Sequence, residues 1–161
     1  MKPISAPKPA ALSIPAGMPS ESMMPLWRRI HGEFIYHSQK WELPSSVSFI
    51  LVGLHLHPEL SEPAVIARTN YLPRQTTTFI LDTLEKAKLA VRRAHPSDRR
   101  RKIVLLTPKG HTMAAAMFTD LLRFEAEALK NFNARDLTAA KRLLTQYADA
   151  LALANERETL P

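Results

Sequence analysis

The sequence predicts a mainly α-helical fold with one small β-hairpin, and three observations lead to this prediction. Apolar residues recur at steps of three and four through most of the chain, as on one face of an α-helix. Between Leu89 and Leu106 the pattern changes to two short β-prone runs, LAVRR and KIVLL, joined by the turn-forming segment AHPSDRRR. Hydrophobic residues form 45% of the 161 residues, which is enough for the core of one domain.

The first 24 residues are predicted to form an extended arm. Six of the 13 prolines lie within the first 25 residues, and proline fixes φ and removes a backbone donor. Two roles remain open for this arm. It is either a disordered tail or a segment laid across a partner subunit, where Ile4, Leu12 and Ile14 would anchor it.

Four helices are predicted between the arm and the hairpin. The first spans residues 25–42 and ends before Pro44, because the residue preceding a proline is steered away from helical geometry. The second spans residues 45–55 and is apolar nearly all round, which indicates burial. The third is short, with Ser61 as its predicted N-cap and Pro63 in its first turn.

The fourth helix follows Pro73 and is predicted to have a buried and an outward face. Thr77, Leu84 and either Ile80 or Leu81 are expected to point inward. The outward face of its first turns then carries polar side chains and one aromatic ring, namely Arg74, Gln75, Thr76, Thr78 and Phe79.

Two long helices are predicted after the hairpin. Thr107 is the expected N-cap of the fifth helix, with Pro108 at its first position, and Asn133 with Asp136 resembles a capping box that starts the sixth. The sixth helix carries an apolar stripe that either packs on the chain's own core or pairs with another chain. Its members are Leu137, Ala140, Leu144, Tyr147, Leu151 and Ala154.

The positive charge is concentrated in the hairpin. The chain has 22 Lys and Arg against 15 Asp and Glu, and the segment Arg92–Lys102 holds six cations and one anion. Such a local excess is typical of a nucleic-acid interface, although a solvated loop is the simpler alternative. Two helices followed by a basic hairpin form a winged helix-turn-helix, whose second helix enters the major groove of DNA while the wing reaches the minor groove.

The segment DRRRKIVLLTPKG, residues 98–110, resembles the wing signature of the MarR family of transcriptional regulators, and residues 76–93 resemble its recognition helix and first wing strand. The resemblance extends from Trp27 to the C-terminus. It implies dimerisation helices over residues 25–42 and 108–161 and a DNA-binding part over residues 45–107.

The chain departs from the family pattern at two positions. Lys88 stands where a glycine is usual, so the fourth helix would close without the usual left-handed residue. Phe79 stands where an arginine is common, so base reading would depend more on apolar contact with thymine methyl groups.

The resemblance also implies a function and partners. Such proteins are homodimers that bind palindromic operators in double-stranded DNA, and typical members repress nearby genes until a small, often aromatic, ligand releases them. Asp98 would orient the neighbouring arginines. The residues expected to contact DNA are Arg74, Gln75, Thr76, Thr78, Phe79, Arg92, Arg93, Asp98, Arg99, Arg100, Arg101 and Lys102.

Two further sets of residues follow from the family positions. Leu137, Leu144, Tyr147 and Leu151 are expected at the dimer interface. The predicted ligand pocket, for which plain dimer core is the alternative, consists of Phe34, His37, Trp41, Phe49, Val52, Met113 and Met117.

Other classes of function find little support in the sequence. The chain has no cysteine, no glycine-rich phosphate loop and no HExxH motif, so neither an enzyme nor a cofactor is predicted. The histidine pair His55 and His57 does not share a helix face, so no metal site is predicted. No apolar run approaches the length of a membrane span, and a cytoplasmic protein is expected. The alternatives are a winged-helix protein-interaction module and a constitutive or architectural DNA binder without an effector.

Overall fold

The computed structural model describes residues 22–158, so the predicted arm over residues 1–24 lies almost wholly outside the described residues. The fold is mainly α-helical with one two-stranded antiparallel sheet, which confirms the predicted class. The elements are α1 (Met24–Ser38), α2 (Ser45–Leu56), α3 (Pro63–Thr69), α4 (Arg74–Lys86), β1 (Ala90–His95), β2 (Asp98–Leu106), α5 (Pro108–Leu129) and α6 (Ala134–Glu158). Short 3-10 turns follow α1 and α2, at Gln39–Trp41 and Pro58–Leu60.

The chain divides into two compact units, Met1–Thr119 and Asp120–Pro161. The hydrophobic core of the first unit is built mainly from α2 and α4, together with side chains of α3, the hairpin and the start of α5. In α4 the predicted inward face is confirmed, because Thr77, Ile80, Leu81 and Leu84 are all buried. Within the described residues, no helix is long and apolar enough to cross a membrane.

Backbone hydrogen bonds form the hairpin and join it to the rest of the first unit. β1 and β2 pair antiparallel, with Ala90 opposite Leu106. The N–H of Val104 donates to the carbonyl of Ser61 at 2.9 Å. The prediction that Ser61 is the N-cap of α3 is wrong. Because Pro63 occupies the first helical position, the N-cap is Glu62, and Ser61 lies one residue too early to cap the helix.

Both long helices begin where the sequence predicts. The Thr107 hydroxyl accepts a hydrogen bond from the Gly110 N–H at 3.0 Å, which is N-cap geometry. The side-chain Oδ1 of Asn133 accepts a hydrogen bond from the Asp136 backbone N–H at 2.9 Å. In a capping box, the side chain three residues after the N-cap accepts a hydrogen bond from the backbone N–H of the N-cap residue. Here the Asp136 carboxylate instead accepts from the side-chain amide of Asn133, at 2.7 Å.

The end of α4 differs from the expectation. Lys88 itself adopts the left-handed conformation, with φ of 58°. The N–H of Leu89 donates to the carbonyl of Leu84 and the N–H of Lys88 donates to that of Glu85, both at 2.9 Å. These two bonds form a Schellman motif, which holds a non-glycine residue in a conformation that glycine adopts without strain. α4 therefore ends in a common capping motif, with a lysine at the position that glycine usually occupies.

We expect Lys88→Gly to raise the free energy of unfolding by about 1 kcal/mol, because glycine removes the steric cost of the left-handed conformation. Urea denaturation monitored by circular dichroism measures this change. Lys88→Ala is the matched control, since it removes the same charge but keeps a Cβ atom. An equal gain in both variants would attribute the effect to charge and contradict the conformational explanation.

Candidate nucleic-acid interface

The first turns of α4 present one continuous exposed face. Thr77 points into the core, where its hydroxyl donates to the Pro73 carbonyl at 3.1 Å. Its neighbours point outward, and Phe79 is 62% exposed although it is an aromatic residue. The exposed residues of these turns are the five predicted to contact DNA, namely Arg74, Gln75, Thr76, Thr78 and Phe79.

The polar groups on this face are not equally available to a partner. The Thr78 hydroxyl donates to the Arg74 carbonyl at 3.0 Å, so its hydrogen is used inside the helix and only its oxygen remains as an acceptor. Within the described part of the chain, the Gln75 amide and the Thr76 hydroxyl form no hydrogen bond. Gln75 and Thr76 therefore present both donors and acceptors to solvent.

The wing carries exposed cations on both strands. Arg93 lies on β1 opposite Ile103, and Lys102 lies on β2 opposite Ala94. Arg93, Arg100 and Lys102 are exposed, and none of them forms an ion pair with another of the residues described. Arg99 lies on β2 next to Arg100. A surface with several uncompensated cations attracts an anionic partner.

Arg92, also a predicted DNA contact, is directed toward the protein instead. Its Nη1 donates to the Asp82 carboxylate at 2.6 Å and to the Glu85 carboxylate at 3.0 Å. Its Nη2 donates to the Thr78 carbonyl at 3.3 Å, and its backbone N–H donates to Glu85 at 2.8 Å. The guanidinium therefore ties β1 to α4 and sets the position of the wing relative to this helix.

Arg101 makes a second link of this kind. Its Nε donates to Oε2 of Glu62 at 2.9 Å, and its Nη2 donates to Oε1 of the same carboxylate. This hydrogen-bonded pair raises the pKa of Arg101, and the charge of Asp98 adds to the effect. The bidentate pair connects β2 to the N-cap of α3.

The partners of these two arginines are absent from the site predicted from the sequence. Asp82 and Glu85 lie one turn apart on α4, a spacing that places two carboxylates on the same side of a helix. The sequence could therefore have indicated Asp82 and Glu85 as a pair of carboxylates on one side of α4. Glu62 lies 39 positions from Arg101, and no local pattern connects the two residues.

Asp98 shapes the start of β2. Its Oδ1 accepts a hydrogen bond from the backbone N–H of Arg100 at 2.9 Å. A side chain that bonds to the backbone two residues ahead forms an Asx-type turn. Asp98 therefore sets the direction in which the strand leaves the tip of the wing.

The seven residues of the predicted ligand pocket do not share one environment. Met117 belongs to the buried core, and Trp41, Val52 and Met113 are partly buried against that core. Phe34 and His37 are half-buried, whereas Phe49 is exposed.

The histidines form one contact that their spacing does not suggest. Nδ1 of His55, on α2, lies 3.2 Å from Nδ1 of His111, in the first turn of α5. Over residues 22–158, no group of three or more His, Asp or Glu side chains is arranged to hold a metal ion.

The apolar stripe of α6 remains uncovered in this chain. None of the described residues of α6 is buried. Leu144 and Leu151 are 54% and 48% exposed, Tyr147 is also exposed, and Leu137 is half-buried. Most of the apolar side chains of this stripe are therefore exposed to solvent.

Comparisons with known proteins agree on one fold family. A sequence model described as MarR family matches residues 42–101, which contain α2, α3, α4 and most of the wing. No curated protein sequence matches the chain. A solved structure described as a MarR family transcription regulator is 25% identical, with a TM-score of 0.72 over 85% of this chain and 89% of that chain.

Two less similar structures share the fold. MepR of Staphylococcus aureus, solved in complex with DNA, is 21% identical, with a TM-score of 0.71 over 81% of this chain and 98% of that chain. BpsR of Bordetella bronchiseptica, solved to explain how 6-hydroxynicotinic acid regulates its DNA binding, is also 21% identical, with a TM-score of 0.64 over 81% of this chain and 95% of that chain.

Proposed function

Because the chain carries a winged helix-turn-helix domain of the MarR family of transcription regulators, we propose that it binds double-stranded DNA as a homodimer and represses transcription until a small ligand releases it. The observation that carries the proposal is the pairing of an exposed polar face on α4 with an exposed basic wing. Small amide and hydroxyl side chains suit base edges and phosphates, and the wing cations suit the phosphate backbone.

In this proposal the residues have three kinds of role. Gln75, Thr76 and Phe79 read base edges in the major groove, while Arg74 and Thr78 contact the backbone. Arg93, Arg99, Arg100 and Lys102 bind phosphates or enter the minor groove. Arg92 and Arg101 position the wing through their carboxylate partners, and Asp98 orients the wing tip.

The dimer is proposed from the uncovered apolar stripe of α6. Exposed apolar surface of this extent on a helix is typical of an interface with another chain. Two copies related by a two-fold axis would place two α4 helices on successive major grooves. The operator is then a palindrome whose half-sites lie about one helical turn apart.

Ligand release is proposed on the example of BpsR, whose DNA binding 6-hydroxynicotinic acid regulates. An aromatic acid is therefore the first class of effector to test. A protein that binds its operator and responds to no such compound would be a constitutive binder, and ligand screening distinguishes the two.

The proposed function is tested by fluorescence anisotropy with duplex DNA that flanks the gene for this protein. We expect selective binding in the presence of excess random duplex, weakening steeply between roughly 50 and 200 mM salt. Equal affinity for random DNA would indicate an architectural binder. No binding at low salt would contradict DNA binding and favour a winged-helix module that binds an acidic protein.

We expect Arg100→Ala to weaken binding to all DNA sequences and to lower the slope of log affinity against log salt by roughly one unit, because one phosphate contact releases about one counterion. Anisotropy titrations at four salt concentrations measure the slope. Arg157→Ala, which removes the same charge from the last turn of α6, is the control and should leave the slope unchanged. Equal slopes for Arg100→Ala and the unmodified protein would show that Arg100 does not contact a phosphate.

A further inference from the structure

The turn between α3 and α4 presents a tyrosine side chain that the fold does not use. Tyr71 is 95% exposed, and its side chain forms no hydrogen bond or ring contact with another of the described residues. Its backbone lies in the left-handed region, with φ of 52°. Glycine adopts this conformation without the steric cost that a side chain brings. The ring of Tyr71 therefore carries a steric cost and gains almost no burial in return.

The end of α3 does not require this side chain either. The N–H of Leu72 donates to the carbonyl of Ala67 at 2.8 Å, and the N–H of Tyr71 donates to the carbonyl of Arg68 at 3.2 Å. These two bonds form the same Schellman motif that ends α4, and they join backbone atoms only. Tyr71→Gly would keep both bonds. The side chain of Tyr71 is therefore available to a partner.

Two arginines accompany Tyr71 around a shallow surface depression. Arg68 of α3 and Arg74 of α4 are exposed, and neither side chain forms an ion pair with another of the described residues. Two guanidinium groups and a phenolic hydroxyl can all donate hydrogen bonds to an anion. The described lining contains no acidic residue and consists of Ala64, Ala67, Arg68, Tyr71, Leu72 and Arg74.

The depression is continuous with the face of α4 that is proposed to read DNA. Arg74 belongs to both, because it is the first residue of α4 and also lines the depression. When the first turns of α4 enter the major groove, the sugar–phosphate backbone that borders the groove passes the start of the helix. Arginine and tyrosine side chains both donate hydrogen bonds to phosphate oxygens. The charge of the depression is therefore complementary to the DNA backbone.

We propose that Tyr71, Arg68 and Arg74 bind the sugar–phosphate backbone of DNA beside each half-site, and that the strained position of Tyr71 serves DNA affinity at the expense of fold stability. This inference rests on the proposed function and adds a contact to it. The contact fixes the register of α4 in the groove and raises affinity for every sequence, because a phosphate carries no sequence information.

Tyr71→Gly separates fold stability from DNA affinity. The temperature of thermal unfolding should rise by roughly 2–4 °C, because glycine relieves the left-handed conformation. Affinity for operator and for random duplex should fall about tenfold. Lys88→Gly is the matched control, because it relieves the same conformation at the end of α4 and should leave DNA affinity unchanged. Unchanged DNA affinity in Tyr71→Gly, or an equal loss in Lys88→Gly, would overturn the proposal.

Duplexes with one neutral methylphosphonate linkage locate the contact. Replacing a phosphate beside a half-site should weaken binding of the unmodified protein about tenfold, and Arg68→Ala should be insensitive to that replacement. Tyr71→Phe keeps the ring and the turn and removes only the hydroxyl group. It should bind natural DNA about threefold more weakly and lose less than the unmodified protein at the same linkage. Additive losses at every linkage in both variants would show that neither side chain binds a phosphate.

The salt dependence distinguishes this contact from the proposed function. Arg68→Ala should lower the slope of log affinity against log salt by roughly one unit, whereas Arg157→Ala should not. If the unmodified protein binds the duplex and the Arg68 and Tyr71 variants bind it equally well with the same slope, only this contact is wrong. If the unmodified protein binds no duplex even at low salt, the proposed function fails and this contact fails with it.

Discussion

In the proposed homodimer, glutamate at both Leu144 and Leu151 should produce a monomer whose affinity for the proposed operator is lower by roughly 100-fold or more. Both side chains belong to the exposed apolar stripe of α6, and burying two new charges against a partner chain carries a large desolvation penalty. A monomer also loses the gain from engaging two half-sites at once, which is roughly 100-fold or larger for linked binding units. Analytical ultracentrifugation and anisotropy measure the two effects.

The chain offers a matched control for this experiment. Gln146→Glu with Leu153→Glu has the same seven-residue spacing and the same added charge but lies on the opposite side of α6. This control should leave the proposed dimer intact. Because all four positions are exposed, circular dichroism should report unchanged helix content in both double variants. A dimer that persists in the Leu144 and Leu151 variant would exclude the stripe as the interface.

The second large effect concerns Phe79, whose ring we expect to contact the methyl group of a thymine in the operator. The ring is 62% exposed on the outward face of α4, so contact with DNA would bury apolar surface that is otherwise in water. Phe79→Ala should weaken specific binding by about 1.5–3 kcal/mol, the value of burying such a side chain. Replacing the contacted thymine by deoxyuracil should cost the unmodified protein about 0.8 kcal/mol, or roughly fourfold.

A double-mutant cycle between the protein and the DNA tests this contact. Anisotropy is measured with operators in which each thymine in turn is deoxyuracil, against the unmodified protein and Phe79→Ala. The sensitivity to one methyl group should disappear in Phe79→Ala and persist in Gln75→Ala, which removes a neighbouring side chain of the same face. Additive losses at every thymine would show that Phe79 does not read a methyl group.

Features that depend on residues close together in the chain were predicted correctly. The start of α5 at Pro108, the start of α6 at Ala134 and the buried face of α4 all match the prediction. An N-cap depends on residues within one turn, and a buried face depends on the helical period. Both can therefore be predicted from a short stretch of sequence. The hairpin is equally local, since its strands are joined by a short turn.

Features that depend on contacts between distant elements were not predictable in this way. The sequence predicts that Arg92 and Arg101 contact DNA. In the structure, Arg92 binds Asp82 of α4 and Arg101 binds Glu62 at the N-cap of α3. The charge of a side chain is local information, whereas its availability depends on which groups the fold brings within hydrogen-bonding distance. The same reason explains Met117, whose apolar character fits a pocket or a core, and which the packing places in the core.

Lys88 shows the division most clearly. The sequence by itself determined that Lys88 ends α4, because the helical pattern stops there, but the bonds of the Schellman motif decided that a lysine adopts left-handed geometry. Local sequence determines helices, turns and charge, and packing determines which of those groups remain open to a partner.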